Sequence, residues 1–255
     1  MTRQFTLSLA LTALLAVASY ALLAMLGPDW SRFAPATCQL TGCFCEAPRP
    51  GQLVLQPANS WSSFSFVLVG AWILLSAGAR GTSHAFRGSQ AVIYAVAVII
   101  VGVGSFLLHA TLTLWGQFYD VVGMYLLSGF MVAYAVQRRF GLSTAAAAAL
   151  YVALCTLLIT ILVVEPETRR WLFAVVLLAA IGVELGVARP LRPGIEMRWF
   201  VYGILLQVAA FTIWILDMRH IVCAEDSLWQ GHAAWHMLNA AAIACTYRYY
   251  RSERA

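Results

Sequence analysis

Three histidines have the residue type and spacing of a metal site. His232 and His236 are separated by one helical turn, so both imidazoles project from one helix face and can bind the same metal ion. His109, at the end of another apolar stretch, supplies a third imidazole. Three protein ligands leave the fourth position of a tetrahedral zinc site open to water, and neutral imidazole suits zinc better than magnesium or calcium. These residues predict a catalytic Zn²⁺ site.

Two further side chains could carry out hydrolysis beside such a site. Ser105 lies four residues before His109 and faces the same way along a helix, where its hydroxyl could donate to a developing oxyanion. Asp120 begins the next apolar stretch and could accept a proton from the attacking water. A single serine in a membrane helix more often hydrogen-bonds a neighbouring helix or the backbone, and a boundary histidine is often only interfacial. The common depth of all five residues favours the functional interpretation.

The composition shows that the helices positioning these residues lie in lipid. Hydrophobic residues make up 62% of the chain and charged residues 11%, far from the averages of soluble domains. Eight apolar stretches approach the length of about 20 residues that a transmembrane helix needs. They run approximately from Phe5 to Met25, Trp61 to Ala79, Ala91 to His109, Phe118 to Val136, Ala145 to Val164, Trp171 to Ala188, Trp199 to Leu216 and Trp229 to Tyr247. The sequence therefore predicts an all-α membrane protein without a separate soluble domain.

The arginines between the apolar stretches predict the orientation. With a cytoplasmic N-terminus, the inner side receives the larger group, which comprises Arg3, Arg80, Arg87, Arg138, Arg139, Arg189, Arg192, Arg198, Arg248, Arg251 and Arg254. The outer side receives Arg32, Arg49, Arg169, Arg170 and Arg219. This bias predicts that both termini are cytoplasmic and that the three histidines and Asp120 lie near the outer boundary. It also explains the net charge of +5 without nucleic-acid binding, because the basic residues form no continuous stripe.

The N-terminal stretch and the cysteines suggest three segments. We expect residues 1–27 to be a transmembrane anchor, although Arg3 before an apolar run is also typical of a signal sequence; no convincing cleavage site follows. Residues 28–58 form an outer loop and residues 59–255 a seven-helix catalytic domain. Cys38, Cys43, Cys45 and Cys223 all fall on the outer side, where an oxidising compartment permits disulfides, but their pairing is left open. Cys155 and Cys245 lie in apolar stretches and are expected to be packing residues.

Three motifs resemble the alkaline ceramidase family, within a superfamily of seven-helix membrane hydrolases that also includes the progestin and adiponectin receptors. The first is Pro57-Ala58-Asn59-Ser60-Trp61-Ser62-Ser63-Phe64. The second is Gly102-Val103-Gly104-Ser105-Phe106-Leu107-Leu108-His109-Ala110-Thr111-Leu112, followed by Gln117-Phe118-Tyr119-Asp120. The third is His232-Ala233-Ala234-Trp235-His236-Met237-Leu238-Asn239.

The resemblance implies a seven-transmembrane helix bundle of ceramidase type, here with an extra N-terminal transmembrane helix. It implies that His109, His232 and His236 bind zinc, that Asp120 contacts the activated water and that Ser105 stabilises the oxyanion. The implied reaction is hydrolysis of ceramide to a sphingoid base and a fatty acid. A similar bridge in the family, together with the outer location of both residues, predicts a disulfide between Cys45 and Cys223, which leaves Cys38 to pair with Cys43.

The resemblance also has departures. Eukaryotic members bind calcium through an acidic cluster before the first core helix, whereas this chain offers Glu46 alone, with Gln56 near where another acid is expected. We therefore predict no calcium site. Asn59 and Ser60 are expected to cap the first core helix. Asp217 either supports the metal site or is an interfacial turn residue.

Two other ionisable positions are assigned a structural role. Glu184 lies inside an apolar stretch, so we expect it in a buried pair with an unidentified partner. His84 and His220 are expected to be solvated loop residues without metal-like spacing.

The leading prediction is a zinc-dependent intramembrane amidase acting on ceramide or another N-acyl lipid. The alternative is a receptor-like seven-helix membrane protein in which zinc is structural. A transporter would more often show paired internal repeats and broken helices, and neither is clear. The expected partners are a lipid substrate and the membrane, with no nucleic acid. Because every basic residue is Arg and none is Lys, we expect a bacterial protein. The distribution of the arginines then predicts an inner-membrane protein with its site towards the periplasm.

Overall fold

The computed structural model describes residues 2–41, 43–77, 85–188 and 194–254, and these ranges contain helices and no strand. The long helices form where the eight apolar stretches were predicted, and the second stretch is divided at Ser63. The α-helices are α1 (Thr2–Leu26), α2 (Pro57–Ser62), α3 (Phe64–Ala77), α4 (Ser89–Thr111), α5 (Leu114–Phe140), α6 (Thr144–Val164), α7 (Arg169–Val183), α8 (Met197–Met218) and α9 (Gly231–Ser252). The chain is an all-α membrane protein, as predicted.

Within the described ranges, six helical segments are long and apolar enough to cross a membrane: α1, α2 with α3, α4, α5, α6 and α8. Helix α7 has 15 residues and continues into a π-helical turn, Glu184–Ala188. Helix α9 has 22 residues but carries histidines and arginines among its apolar positions. Helices α1, α6 and α8 leave most of their apolar side chains on the outside of the bundle, where lipid would cover them, while α4 is its most buried span. The helices identify a multi-pass membrane protein.

Close packing of α4 against α5 brings the serine and histidine of one helix beside the aspartate of the next. A Cβ atom at Gly104 would lie 2.4 Å from the carbonyl oxygen of Tyr119, so only glycine permits this approach. The turn between the helices is short, with Leu112 in the left-handed region at φ 48°. Thr113 then begins α5 by accepting a hydrogen bond from the Gly116 backbone N–H at 3.2 Å.

The outer loop packs on the end of the bundle that carries the histidines. Its backbone pairs with the α4–α5 turn, where Ala36 N–H donates to the Leu112 carbonyl at 2.8 Å and Leu114 N–H to the Ala34 carbonyl at 2.7 Å. The disulfides Cys38–Cys43 and Cys45–Cys223 are both formed, which confirms the predicted pairing. The second disulfide joins the outer loop to the segment before α9.

The side chain of Glu46 caps the start of α2. The prediction that Asn59 and Ser60 cap this helix was wrong. Both residues lie inside α2, three and four residues after its N-cap Gln56. The Glu46 carboxylate instead accepts hydrogen bonds from the backbone N–H groups of Ala58 and Asn59, each at 2.8 Å. Burial raises the pKa of Glu46, and these two hydrogen bonds oppose the increase. A carboxylate at this position also interacts favourably with the helix dipole.

At the opposite end of the bundle, a buried polar cluster joins α5, the π-helical turn and α9. Arg138 forms ion pairs with Glu184 and, at 3.4 Å, with Glu253. The Tyr249 hydroxyl donates to Glu184 at 2.6 Å. The predicted buried pairing of Glu184 is confirmed, and its partner is Arg138.

Some predictions are not decided by these helices. His84, Arg80, Arg189 and Arg192 lie outside the described residues. The orientation of the termini stays a prediction, and so does the division at residues 27 and 58. Helix α2 begins at Pro57, two residues before the predicted start of the core.

Candidate metal centre

The three predicted histidines meet at the outer-loop end of the bundle. His109 comes from the last turn of α4, and His232 and His236 come from the first turns of α9. All three are buried, and one ring nitrogen of each lies within 4.8 Å of the others. The Nε2 atoms of His109 and His232 are 3.1 Å apart, close to the separation of about 3.3 Å between two nitrogens of a tetrahedral zinc site. The histidines can therefore hold a metal ion.

Gln56 fixes the tautomer of His109. The Gln56 amide nitrogen donates to the Glu46 carbonyl at 2.6 Å, which directs the amide oxygen towards His109. That oxygen can only accept a hydrogen bond, so Nδ1 of His109, at 3.0 Å, must be the donor. Nε2 then has no proton and presents its lone pair to the other histidines. A ligating imidazole usually has its other nitrogen held in this way.

Ser62 has the same effect on His236. Its hydroxyl donates to the Asn59 carbonyl at 2.9 Å and lies 2.8 Å from Nδ1 of His236. Because the serine proton is directed to the carbonyl, Nδ1 of His236 carries a proton that it donates to Ser62. Nε2 of His236 is then free to act as a ligand.

Asp217 holds the start of α9, and with it His232. One carboxylate oxygen accepts from the His232 backbone N–H at 3.0 Å, and the other accepts from the Cys45 backbone N–H at 3.1 Å. The side chain therefore supports the site through the backbone, which decides between the two roles considered for it. Nδ1 of His232 is buried without a hydrogen-bond partner among the described residues. The Phe44 ring covers His232 and His109, with centroid distances of 4.2 and 4.5 Å.

Ser105 and Asp120 lie beside the histidines. The Ser105 hydroxyl is 3.1 Å from Nε2 of His236 and 3.1 Å from the Ser63 hydroxyl, which also contacts the Asn59 carbonyl at 3.0 Å. The Asp120 carboxylate lies on the wall of the same cavity as Ser105 and Arg169. All five residues predicted from the sequence are thus brought together, and their individual roles stay predictions.

A cavity of about 640 Å³ opens beside the site. The metal-centre residues on its wall are Ser105, His109, Asp120 and His232. Aromatic side chains of α7 and α8 form much of the rest, namely Trp171, Phe173, Phe211 and Trp214. Met124, Phe173 and Trp235 also line a second, almost wholly apolar pocket of about 80 Å³ between the helices. The site therefore adjoins apolar space that can accept a hydrocarbon chain.

A second group of metal-ligating types lies in the exposed loop before α9. His220, Cys223 and Glu225 are close together there. Cys223 is in a disulfide, so it offers no thiolate, and the group is a poor metal site.

The residues that sequence reasoning missed are those that orient the ligands. Gln56 and Ser62 are ordinary polar residues near a helix start, and their spacing to the histidines along the chain carries no signal. The sequence distinguishes Gln56 only by its position near where the family resemblance predicts another acid.

A family model described as Ceramidase matches residues 52–254. The matched range contains the three histidines, Ser105 and Asp120 and excludes α1. No curated protein matches the chain.

Proposed function

The chain belongs to the ceramidase family, and on that premise we propose that it is a zinc-dependent lipid amidase that hydrolyses ceramide or a related N-acyl lipid. The family implies a hydrolase acting on amide bonds. The observation that carries the proposal is the convergence of three buried histidines on one point, with Ser105 and Asp120 beside them at an open cavity.

The donor set supports zinc as the metal. It consists of three imidazoles, two of which have their Nδ1 protons held by Gln56 and Ser62. Calcium and magnesium prefer oxygen ligands, and three histidines with an open fourth position are the set of many catalytic zinc sites. When bound, zinc polarises a carbonyl and lowers the pKa of water towards about 7.

Asp120 and Ser105 supply the remaining chemistry in the proposal. Asp120 takes a proton from the attacking water as the water oxygen bonds to the amide carbon. The Ser105 hydroxyl donates to the carbonyl oxygen as negative charge develops there. The C–N bond then breaks, and Asp120 returns its proton to the leaving nitrogen, which gives a free amine and a fatty acid.

The cavity supports a lipid substrate. Its walls come largely from α4, α5, α7 and α8, and its apolar side chains continue into the pocket between the helices. An amide at the histidines would leave the acyl chain among Met124, Phe173 and Trp235. Burial of each methylene there contributes about 0.8 kcal/mol to binding.

Two variants separate metal binding from proton transfer. His236→Ala removes one of three ligands, so zinc occupancy and hydrolysis should both fall sharply. Asp120→Asn keeps the shape but removes the proton acceptor, so zinc should stay while turnover falls about 100-fold or more. His220→Ala, in the exposed loop, is the matched control and should change neither quantity.

The assay combines metal analysis of purified protein with mass-spectrometric detection of fatty acid released from a panel of N-acyl lipids. Release that depends on Asp120 supports the proposal. Full zinc occupancy without release from any member of the panel would instead favour a receptor-like protein with structural zinc. Normal turnover by Asp120→Asn would refute the proposed role of this residue.

A further inference from the structure

The charged side chains on the cavity wall are mostly positive. Three arginines line it, Arg169, Arg170 and Arg219, against the single carboxylate of Asp120. The bound metal would add further positive charge. The cavity proposed to hold the lipid is therefore positively charged at the end where the substrate amide would lie.

The three arginines are not equivalent. Arg169 is buried, and its guanidinium donates to the Pro166 carbonyl at 3.2 Å and pairs with Glu167 at 3.3 Å. The Arg169 side chain therefore stabilises the turn before α7.

Arg170 and Arg219 have their donors available. Within the described ranges, neither guanidinium forms an ion pair or donates a hydrogen bond. Arg170 lies over the Trp214 ring, with 6.0 Å from its central carbon to the ring centroid. Arg219 follows the last residue of α8. Two cations without an ion pair in the described part of the chain therefore line the cavity that adjoins the metal centre.

A neutral ceramide has only hydroxyl groups and an amide near its polar end, so it offers no anion to these two exposed cations. A guanidinium is best satisfied by a carboxylate or phosphate, to which it can donate two parallel hydrogen bonds. We propose that Arg170 and Arg219 form an anion-binding subsite and that the preferred substrate is an N-acyl lipid whose amine half carries a carboxylate or phosphate. This inference rests on the proposed function, because it concerns the substrate of the same site.

Arginines at a membrane boundary can also simply contact phosphates of the surrounding lipids. That role requires no position on the cavity wall and would affect all substrates alike. A preference that depends on the charge of the substrate separates the two roles.

The experiment uses two pairs of substrates that differ in one charge. The first pair is an N-palmitoyl amino acid and its methyl ester, and the second is ceramide 1-phosphate and ceramide. The kcat/KM ratio of the charged to the neutral member is measured for the wild type, Arg170→Gln, Arg219→Gln and Arg49→Gln. Arg49 is an exposed arginine of the outer loop that does not line the cavity, so it is the matched control.

We expect the wild type to prefer the charged member of at least one pair by about 10-fold or more, the usual scale of a charge-assisted hydrogen bond. The pair with the larger ratio identifies the anion as carboxylate or phosphate. Arg170→Gln and Arg219→Gln should each reduce that ratio about 10-fold, and Arg49→Gln should leave it unchanged. Equal hydrolysis of both members in both pairs would overturn the subsite but leave the amidase intact. An equal loss on both members in the arginine variants would show interfacial anchoring and would also overturn it.

Binding provides a readout that does not need turnover. Affinities of the N-palmitoyl amino acid and its methyl ester are measured by native mass spectrometry on wild-type protein and on the arginine variants. Tighter binding of the acid, lost in Arg170→Gln, would support the subsite even if no lipid were hydrolysed, in which case the proposed function alone would fail. Equal binding of acid and ester would refute the subsite.

Discussion

Replacing Gln56 with leucine should weaken metal binding although Gln56 is not a ligand. Its amide bridges the Glu46 carbonyl and Nδ1 of His109, with distances of 2.6 and 3.0 Å. Leucine has a similar size but accepts no hydrogen bond, so the ring of His109 loses the group that fixes its tautomer and orientation. Loss of such a partner usually lowers metal affinity about 10- to 100-fold. This corresponds to about 1.4–2.7 kcal/mol.

The zinc dissociation constant is measured by competition with a chromophoric chelator on purified protein. Gln56→Glu keeps an acceptor for Nδ1 of His109 and should retain most of the affinity that Gln56→Leu loses. Gln39→Leu is the matched control. Gln39 lies in the same outer loop as Gln56, but its amide donates to the Leu112 carbonyl at the end of α4 and not to a histidine. A zinc affinity of Gln56→Leu within about twofold of the wild type would refute the assigned role of Gln56, since the expected loss starts at about 10-fold.

Three other predictions concern the Ser105 hydroxyl, the buried cluster around Arg138 and the orientation of the chain in the membrane. Ser105→Ala should keep zinc and lower the turnover of an N-acyl lipid about 100-fold, because one oxyanion donor is lost; unchanged turnover would exclude that role. Glu184→Gln leaves the buried Arg138 with one acidic partner fewer, so it should lower the free energy of unfolding by about 3 kcal/mol without changing zinc affinity. The control Glu196→Gln removes a partner from an exposed pair with Arg198 and should lower the free energy of unfolding by less than about 1 kcal/mol. Thermal unfolding measures both changes. A reporter fused after Ala255 should be active in the cytoplasm, and periplasmic activity would reverse the predicted topology.

Much of the fold follows from the sequence because lipid imposes a simple rule on apolar length. A spanning segment must satisfy its backbone internally, so a stretch of about 20 apolar residues becomes a helix wherever it occurs. The common depth of His109 and His232 follows from the same rule, since alternate helices reverse direction. The pairing of Cys45 with Cys223 came from the resemblance to a family rather than from spacing.

The hydrogen bonds around the ligands could not be predicted in the same way. Whether Gln56 meets His109 depends on the path of an irregular loop and on the rotamer of one side chain. The start of α2 shows the same limit. Local capping preferences predict Asn59 as the residue whose side chain accepts hydrogen bonds from the first backbone N–H groups of the helix. Glu46 accepts them instead, although it lies eleven residues before the first helical residue, Pro57. Capping preferences describe only residues next to the helix start in the sequence, so they cannot predict a carboxylate that folding brings there from a distant position.

The most direct test of a zinc-dependent amidase is a zinc titration of metal-depleted protein with an N-acyl lipid in water enriched in ¹⁸O. Fatty acid, amine and bound zinc are quantified at each step. We predict no hydrolysis without metal, recovery in proportion to zinc up to one ion per chain, equal amounts of acid and amine, and one ¹⁸O atom in each fatty acid. Hydrolysis at the full rate by zinc-free protein would contradict the account, and so would a zinc-loaded protein that releases neither product.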